Sequence, residues 1–466
     1  MYDIIKSRVT EKHMEKNVIL FKSSNRADKM ITRKIRAMPS LPLNLLYLAQ
    51  TLTKSGFNPI IIDQELEVNL EKKICRLLEK GAVCVGITSL TGPQIAHGIQ
   101  CAKLIKKKST IPIVWGGVHP TMLPEQTLRS KYVDIVVLGE GEIVFAELVK
   151  RLAKGKDYKN LKGIGYKNAG EIFVNARANF IKDLDSTSID LPYHLIEIEK
   201  YIYCSPLLGS KRTFEISTSR GCVHDCGFCY NKFFNNCTWR SNTPENIIQR
   251  TARAKEDFAI DGITWREDNF FANKDRVERI CKQLISNKIN IKWQANCRLD
   301  YFVAHESSFL KLLKDSGCRC LGIGIESGST AMLKKMKKKI RVADIGRANE
   351  KAKKHNLKIL WHFMAGFPNE KRKDVEMTLN IIHNLLRDPE NSLHGPHFYT
   401  PYPNTDLFEE SVRAGFKPPT KLAEWAALSW LKPHFTISKK CFEMIKSVYN
   451  FAVILRNKTA IHLYEN

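Results

Sequence analysis

Cys222, Cys226 and Cys229 share one short stretch, with three residues between the first pair and two between the second. That spacing lets a single loop wrap a small inorganic core and aim three thiolates at it. Three thiolates hold three irons of a 4Fe–4S cluster and leave the fourth iron open to a small molecule. Gly221 and Gly227 relieve the backbone where it must pass close to sulfide. Zinc is a competing reading of the same residues. It needs a fourth ligand, for which His224 is the local candidate, although a histidine between two of the cysteines has a strained reach to a shared ion. Three buried thiols without a metal are the other alternative.

The elements that must position this loop are legible around it. Residues 213–217 read as a strand running straight into it, and further apolar strands are predicted near 262–267, 291–296, 321–326, 358–364 and 395–399, separated by helical patterns. A series of such units places its chemistry at the carboxyl ends of the strands. The residues there are Glu267 and Asp268, then Arg298, then Glu326 and Ser327 in a glycine-rich strand end, then Phe367. Each also has an ordinary reading: a solvated turn and cap for Asp268, an ion pair with Asp300 for Arg298, a core aromatic for Phe367.

Residues 17–21, 59–63, 82–87, 111–117 and 133–137 are apolar strands, and they alternate with amphipathic helices over 43–55, 68–80, 93–107 and 142–153. Such alternation means a parallel sheet covered on both faces. A hairpin is predicted over 163–166 and 171–174, around Asn168-Ala169-Gly170. The strand ends offer Ser89 and Thr91, Gly117 and His119, and Gly139 and Glu140. Small and hydroxyl residues at these ends let a large flat ligand or a phosphate approach the backbone; plain strand-to-helix turns carry the same composition. The chain thus divides into a domain over 1–175, a linker over 176–211, a second domain over 212–404 and a helical region over 405–466. Trp425 and Trp430 fall in the last, near a substrate entrance or in its core.

A formal charge of +26 suits polyanions such as nucleic acid, an acidic membrane surface or a phosphorylated substrate. The lysines are dispersed, however, and the densest run, 334–339, lacks interleaved aromatics that stack on bases. The 13 cysteines are odd in number and scattered, and residues 1–16 lack the apolar core of a secretory signal. Reduced thiols and a cytoplasmic location, with peripheral membrane association as the alternative, are therefore expected. No apolar run is long enough to span a bilayer.

The Cys222-x-x-x-Cys226-x-x-Cys229 spacing, with Phe228 before the last cysteine, resembles the signature of the radical S-adenosylmethionine (SAM) superfamily. The run Gly324-Ile325-Glu326-Ser327-Gly328-Ser329 and the ending Tyr402-Pro403-Asn404-Thr405 are similar to that family's later motifs. Residues 41–49 and the three amino-terminal loops resemble the cobalamin-binding domain that precedes the radical domain in one large subgroup. There is one departure. The chain has no Asp-x-His-x-x-Gly motif to coordinate cobalt, and its amino-terminal histidines are only His13, His97 and His119. No cobalt ligand is assigned, and His119 reads as a loop-stabilising residue.

The resemblance implies an α/β protein: a Rossmann-like doubly wound sheet, a partial (β/α)6 barrel and a small helical tail. It implies a 4Fe–4S cluster on Cys222, Cys226 and Cys229. It places SAM near Phe228, Glu267, Asp268, Arg298, Glu326, Ser327 and Phe367. It places cobalamin near Ser89, Thr91, Gly117, His119, Gly139 and Glu140. The activity implied is reductive cleavage of SAM to a 5′-deoxyadenosyl radical, with methylcobalamin methylating an unactivated carbon or phosphorus centre of a small-molecule or lipid substrate. An electron donor such as flavodoxin or ferredoxin follows from the same resemblance. The alternatives are a cobalamin-dependent cyclase or rearrangement enzyme, and a non-catalytic iron–sulfur protein that binds nucleic acid. A methylthiotransferase needs a second set of cysteines at strand ends, whereas Cys75, Cys84 and Cys101 fall inside predicted helices and strands.

Overall fold

The computed structural model describes residues 16–26, 39–435 and 437–464; His13 and the charged opening of the chain lie outside them. Seven strands build the first sheet: β1 (Asn17–Lys22), β2 (Asn58–Asp63), β3 (Cys84–Thr88), β4 (Ile113–Gly116), β5 (Ile135–Val137), β6 (Ile164–Asn168) and β7 (Glu171–Val174). Their order is β2-β1-β3-β4-β5-β6-β7. The first five run parallel and the β6–β7 hairpin joins β5 antiparallel. Val18, Ile19, Leu20 and Phe21 are all buried, because helices cover both faces of the sheet. Strand order reverses at β1, between β2 and β3, which opens a crevice at the carboxyl ends.

The second sheet contains β8 (Tyr203–Ser205), β9 (Ser210–Ile216), β12 (Gly262–Trp265), β13 (Lys292–Arg298), β14 (Cys318–Glu326), β15 (Lys358–Ala365) and β16 (Asn391–Phe398). A separate antiparallel pair, β10 (Ser219–Gly221) and β11 (Trp239–Ser241), frames the cysteine loop. The sheet order β16-β15-β14-β13-β12-β9-β8 gives six parallel strands, a partial barrel, with β8 antiparallel at one edge. Trp265, Trp293 and Trp361 are buried among its helices.

The amino-terminal elements match their predicted spans within a few residues. β14 begins earlier than expected, at Cys318, which is buried together with Cys320 while Arg319 between them is half-buried; β16 begins earlier, at Asn391, because its polar first residues pair in register with β15. β8, β10 and β11 have three residues each, too few for a periodic signal.

Trp425 does not approach a substrate entrance. It is 2 % exposed, its ring lies 5.5 Å from that of His119, and its indole N–H donates to Gln126, so it docks the carboxyl-terminal segment onto the first domain. The last helix, Lys439–Tyr464, packs on β16 through Ile445 and Ala452. Among the described residues no helix is long and apolar enough to cross a membrane.

Candidate active site between the two sheets

The cysteine loop leaves β10 and is tied at both ends. The Gly221 N–H donates to Asp268 Oδ2 at 3.0 Å, and the Gly227 N–H donates to the Met336 carbonyl at 2.8 Å. Gly221 has φ +87°, and a Cβ there would overlap the Thr238 carbonyl oxygen. At Gly227 a Cβ would meet Asp406 Cβ at an ordinary 3.5 Å, so the surrounding protein demands glycine only at the first position. Gly221→Ala should therefore cost about 1–3 kcal/mol of local strain. Lower iron per chain after reconstitution, with an unchanged far-ultraviolet spectrum, is the expected result.

Two side-chain donors reach the sulfurs: Asn269 Nδ2 stands 3.6 Å from Cys222 Sγ, and Arg298 Nη1 stands 3.8 Å from Cys226 Sγ. Arg298 is itself held by Asp300 Oδ1 at 2.9 Å and by the Lys338 carbonyl at 2.8 Å. Burial pushes the Cys229 thiol up to about 12; a metal cation beside it would act in the opposite direction. His224 is not turned toward the thiols. Its Nε2 pairs with Tyr301 Oη at 2.7 Å, and burial, aided by Arg298, lowers its pKa to about 4. No group of three or more His, Cys, Asp or Glu among the described residues is placed to hold one metal ion. The Asn269 and Arg298 donors aimed at two of the three sulfurs suit thiolates that serve as metal ligands.

The other expected residues divide by where their side chains point. Asp268 lies on a cavity wall, and enclosure by the protein raises its pKa above the ordinary value. Glu267 turns inward, accepting from the Thr218 N–H at 3.0 Å and from the hydroxyls of Thr218 and Ser219, with Arg276 behind it at 3.8 Å. Its buried carboxylate holds the strand that enters the cysteine loop. Glu326 has φ +70° and pairs with Lys338 at 2.7 Å on the cavity wall. Ser327, expected near the ribose, is buried away from the cavity against Thr378, because a bulge between Gly324 and Glu326 changes the facing at the strand end. Phe228 faces the cavity, while Phe367 is core, stacked on Tyr399 at 5.1 Å.

The Gly366 and Phe367 N–H groups donate to Glu370 Oε2, at 2.6 and 3.2 Å. Burial raises the Glu370 pKa to about 7. Its folded-state value therefore exceeds its unfolded one, near 4.3. The stability it contributes is full below about pH 4.3 and is lost as pH rises through about 7. Glu370→Gln should flatten the fall in melting temperature across that window, read as the difference between variant and parent.

Two cavities meet here. One, of ≈ 620 Å³, is bounded by the ends of β1, β3, β4 and β5 and by the helix Leu43–Lys54. Ser89, Gly117, Gly139 and Glu140 line it; Thr91 and His119 do not. His119 is 0 % exposed, its Nδ1 lies 2.9 Å from Thr91 Oγ1, and burial lowers its pKa to about 3. The left-handed turn at Gly117, φ +98°, carries His119 under the carboxyl-terminal segment and leaves backbone at the wall. Two features fit a large flat cofactor. The Ser89 hydroxyl is buried without a hydrogen-bond partner, and a Cβ on Gly116 would meet nothing nearer than Val137 O at 3.9 Å. The second cavity, of ≈ 550 Å³, is lined by Phe228, Cys229, Arg298, Glu326 and three histidines of β15 and β16. Tyr230, Asp268 and Asn296 line both.

Glu140 has partners that sequence reasoning missed, Arg220 and Arg240, and they hold the halves together. Glu140 accepts from Arg220 Nη1 at 3.0 Å, Arg240 Nη1 at 2.9 Å and the Ile181 N–H at 2.8 Å. Glu142 accepts from Arg220 Nη2 at 2.6 Å. The Arg220 guanidinium also lies over the Tyr47 ring, 4.9 Å from its centroid. These partners are up to 100 residues apart, so no local pattern announces them.

The radical SAM superfamily profile matches residues 216–382, and the B12 binding domain profile matches residues 36–149. An uncharacterized methyltransferase of Pyrococcus horikoshii is 30% identical over 428 residues, 90% of this chain and 89% of the relative. The anaerobic magnesium-protoporphyrin IX monomethyl ester cyclase of Synechocystis is 26% identical, covering 78% of this chain and 72% of the cyclase. In fold the chain is similar to the radical SAM methyltransferase TsrM of Kitasatospora setae, solved with cobalamin and a [4Fe-4S] cluster. The TM-score is 0.69 at 14% identity, over 84% of this chain and 77% of that one.

Proposed function

We infer the reaction from the family to which this chain belongs, the radical SAM enzymes that carry an amino-terminal B12-binding domain. The protein is an enzyme, and its reaction is methyl transfer to a carbon or phosphorus centre that carries no activating group. When bound, the cluster and SAM supply one-electron chemistry and cobalamin supplies the methyl-transfer chemistry.

The observation that carries this reading is the wall shared by the two cavities at Tyr230, Asp268 and Asn296. A reaction passed between two cofactors needs their spaces to touch. On this reading Cys222, Cys226 and Cys229 hold the cluster, and Asn269 and Arg298 donate toward its sulfur ligands. Asp268 keeps a carboxylate toward the SAM ammonium while it anchors Gly221. Phe228, Glu326 and the Phe367 turn enclose SAM. Ser89, Gly117, Gly139 and Glu140 border the corrinoid in a domain taken as 1–175, ahead of a radical domain taken as 212–404. A small molecule is the substrate, and a protein of the flavodoxin or ferredoxin kind supplies electrons.

The test is anaerobic reconstitution with iron, sulfide and cobalamin, followed by SAM and a reductant. Methyl transfer predicts both 5′-deoxyadenosine and S-adenosylhomocysteine. Deoxyadenosine alone would favour a cyclisation like that named for the Synechocystis relative. Neither product, from protein with intact cluster and bound corrinoid, would overturn the reading.

A further inference from the structure

A third cavity, of ≈ 700 Å³, lies beneath the helix Lys439–Tyr464 and shares Phe398 and Trp430 with the second. The reaction space therefore continues past the Trp430 indole into it. Its walls are aromatic: Phe398 and Phe442 stack with centroids 5.8 Å apart and planes 18° apart. Trp430 is 39 % exposed, yet its backbone is fixed by the Phe398 N–H donating to its carbonyl at 2.9 Å. A rigidly placed aromatic ring at a cavity mouth is a surface for an apolar ligand.

Lys432, Lys439 and Lys446 also line this cavity, and no carboxylate does. No ion pair of these three lysines occurs among the described residues; Lys446 Nζ lies over the Phe442 ring at 5.6 Å. Toward the reaction space the lining changes to histidine. His397 Nε2 and His394 Nδ1 are 3.1 Å apart, the His362 and His394 rings are 4.7 Å apart, and His397 stands edge-on to Trp430 at 4.5 Å.

We propose that this cavity binds the substrate, and that the substrate is an elongated amphiphile with an apolar body and an anionic group, a carboxylate or a phosphate. The body lies against Phe398, Phe442 and Trp430, the anion sits among the three lysines, and the far end reaches Cys229 and Asp268. Three lysines on a wall that carries no carboxylate disfavour a cationic ligand and leave a neutral one without a partner for them. The placement of the reacting end rests on the methyl-transfer reading; the binding claim stands on the cavity itself.

Decanoate, decyl phosphate, decanol and acetate, each below any micelle-forming concentration, would be titrated calorimetrically into the full chain reconstituted with cluster and cobalamin. Both long-chain anions should bind, and the tighter names the head group. Decanol and acetate should each bind more weakly by roughly tenfold or more, lacking one half of the recognition. The triple reversal Lys432→Glu, Lys439→Glu, Lys446→Glu should weaken the anions by roughly tenfold or more and leave decanol unchanged. These lysines are exposed, so the variant should keep the parent's circular dichroism. Decanol as tight as decanoate, acetate as tight as decanoate, anion affinity indifferent to the reversal, or no binding of either long-chain anion would each overturn the proposal. Failure of the methyl-transfer reading shows instead as missing S-adenosylhomocysteine, on which none of these affinities depends.

Discussion

Cys226→Ala should abolish 5′-deoxyadenosine formation while leaving bound corrinoid in place. Loss of an outer-shell partner typically costs a metal site about 10–100-fold, and loss of a ligand costs more. Activity below roughly 1% of the parent is therefore expected. Cys226 is buried and the Arg298 guanidinium is aimed at its sulfur, so the alanine leaves a cation facing an empty position. Iron per chain, the cluster's visible absorbance and deoxyadenosine should fall together. The control is Cys441→Ala, at a buried cysteine of the last helix, which should keep all three. Deoxyadenosine persisting in Cys226→Ala would sink the assignment of the triplet as the cluster site.

Glu140→Ala should separate the two domains' behaviour. The substitution strands Arg220 and Arg240, whose side chains are largely buried, without their shared countercharge. Breaking such a buried pair from one side costs about 3–5 kcal/mol. Faster proteolytic cleavage between the two sheets and loss of corrinoid from a protein that still carries its cluster are expected. Burial by itself would raise the Glu140 pKa, but the Arg240 hydrogen bond and the Arg220 charge outweigh it and hold the carboxyl below its usual range. The folded value is thus the lower one. The contribution is present above the ordinary carboxylate pKa and is lost only as pH falls through the folded value. Cleavage at the junction should be insensitive to pH near neutrality and rise in acid, and Glu140→Ala should cleave at the acid rate throughout.

What could be read from residues alone was what repeats locally. Val18–Phe21 and its counterparts announce strands because apolar runs buried on both faces need no partner to be recognised. The cysteine triplet is legible for the same reason: its chemistry lies in spacing. Facing was not legible. Ser327 sits at an expected strand end but turns away through a bulge at Gly324–Glu326; His119, expected both near the corrinoid and as a loop-stabilising residue, holds only the second place, paired with Thr91. Pairing across domains was not legible either, since Glu140 meets Arg240 100 residues later. Glu267 shows the middle case, an acidic residue at the right strand end whose carboxylate serves the backbone of Thr218.

Arg220 stands two residues before Cys222 and is held by Glu140 and Glu142, which border the other cavity. The two cofactor sites therefore share a mechanical element, and shared elements make binding events interdependent. A corrinoid that orders the Glu140 loop also orders the root of the cysteine loop, so cluster assembly begins from a chain with less freedom left to lose. Linkage then requires the converse, to the same factor: a chain that already holds its cluster binds corrinoid more tightly. The cluster-free chain should accordingly still fill with corrinoid at saturation but bind it more weakly than the cluster-loaded chain, and Glu140→Ala should remove that difference in affinity.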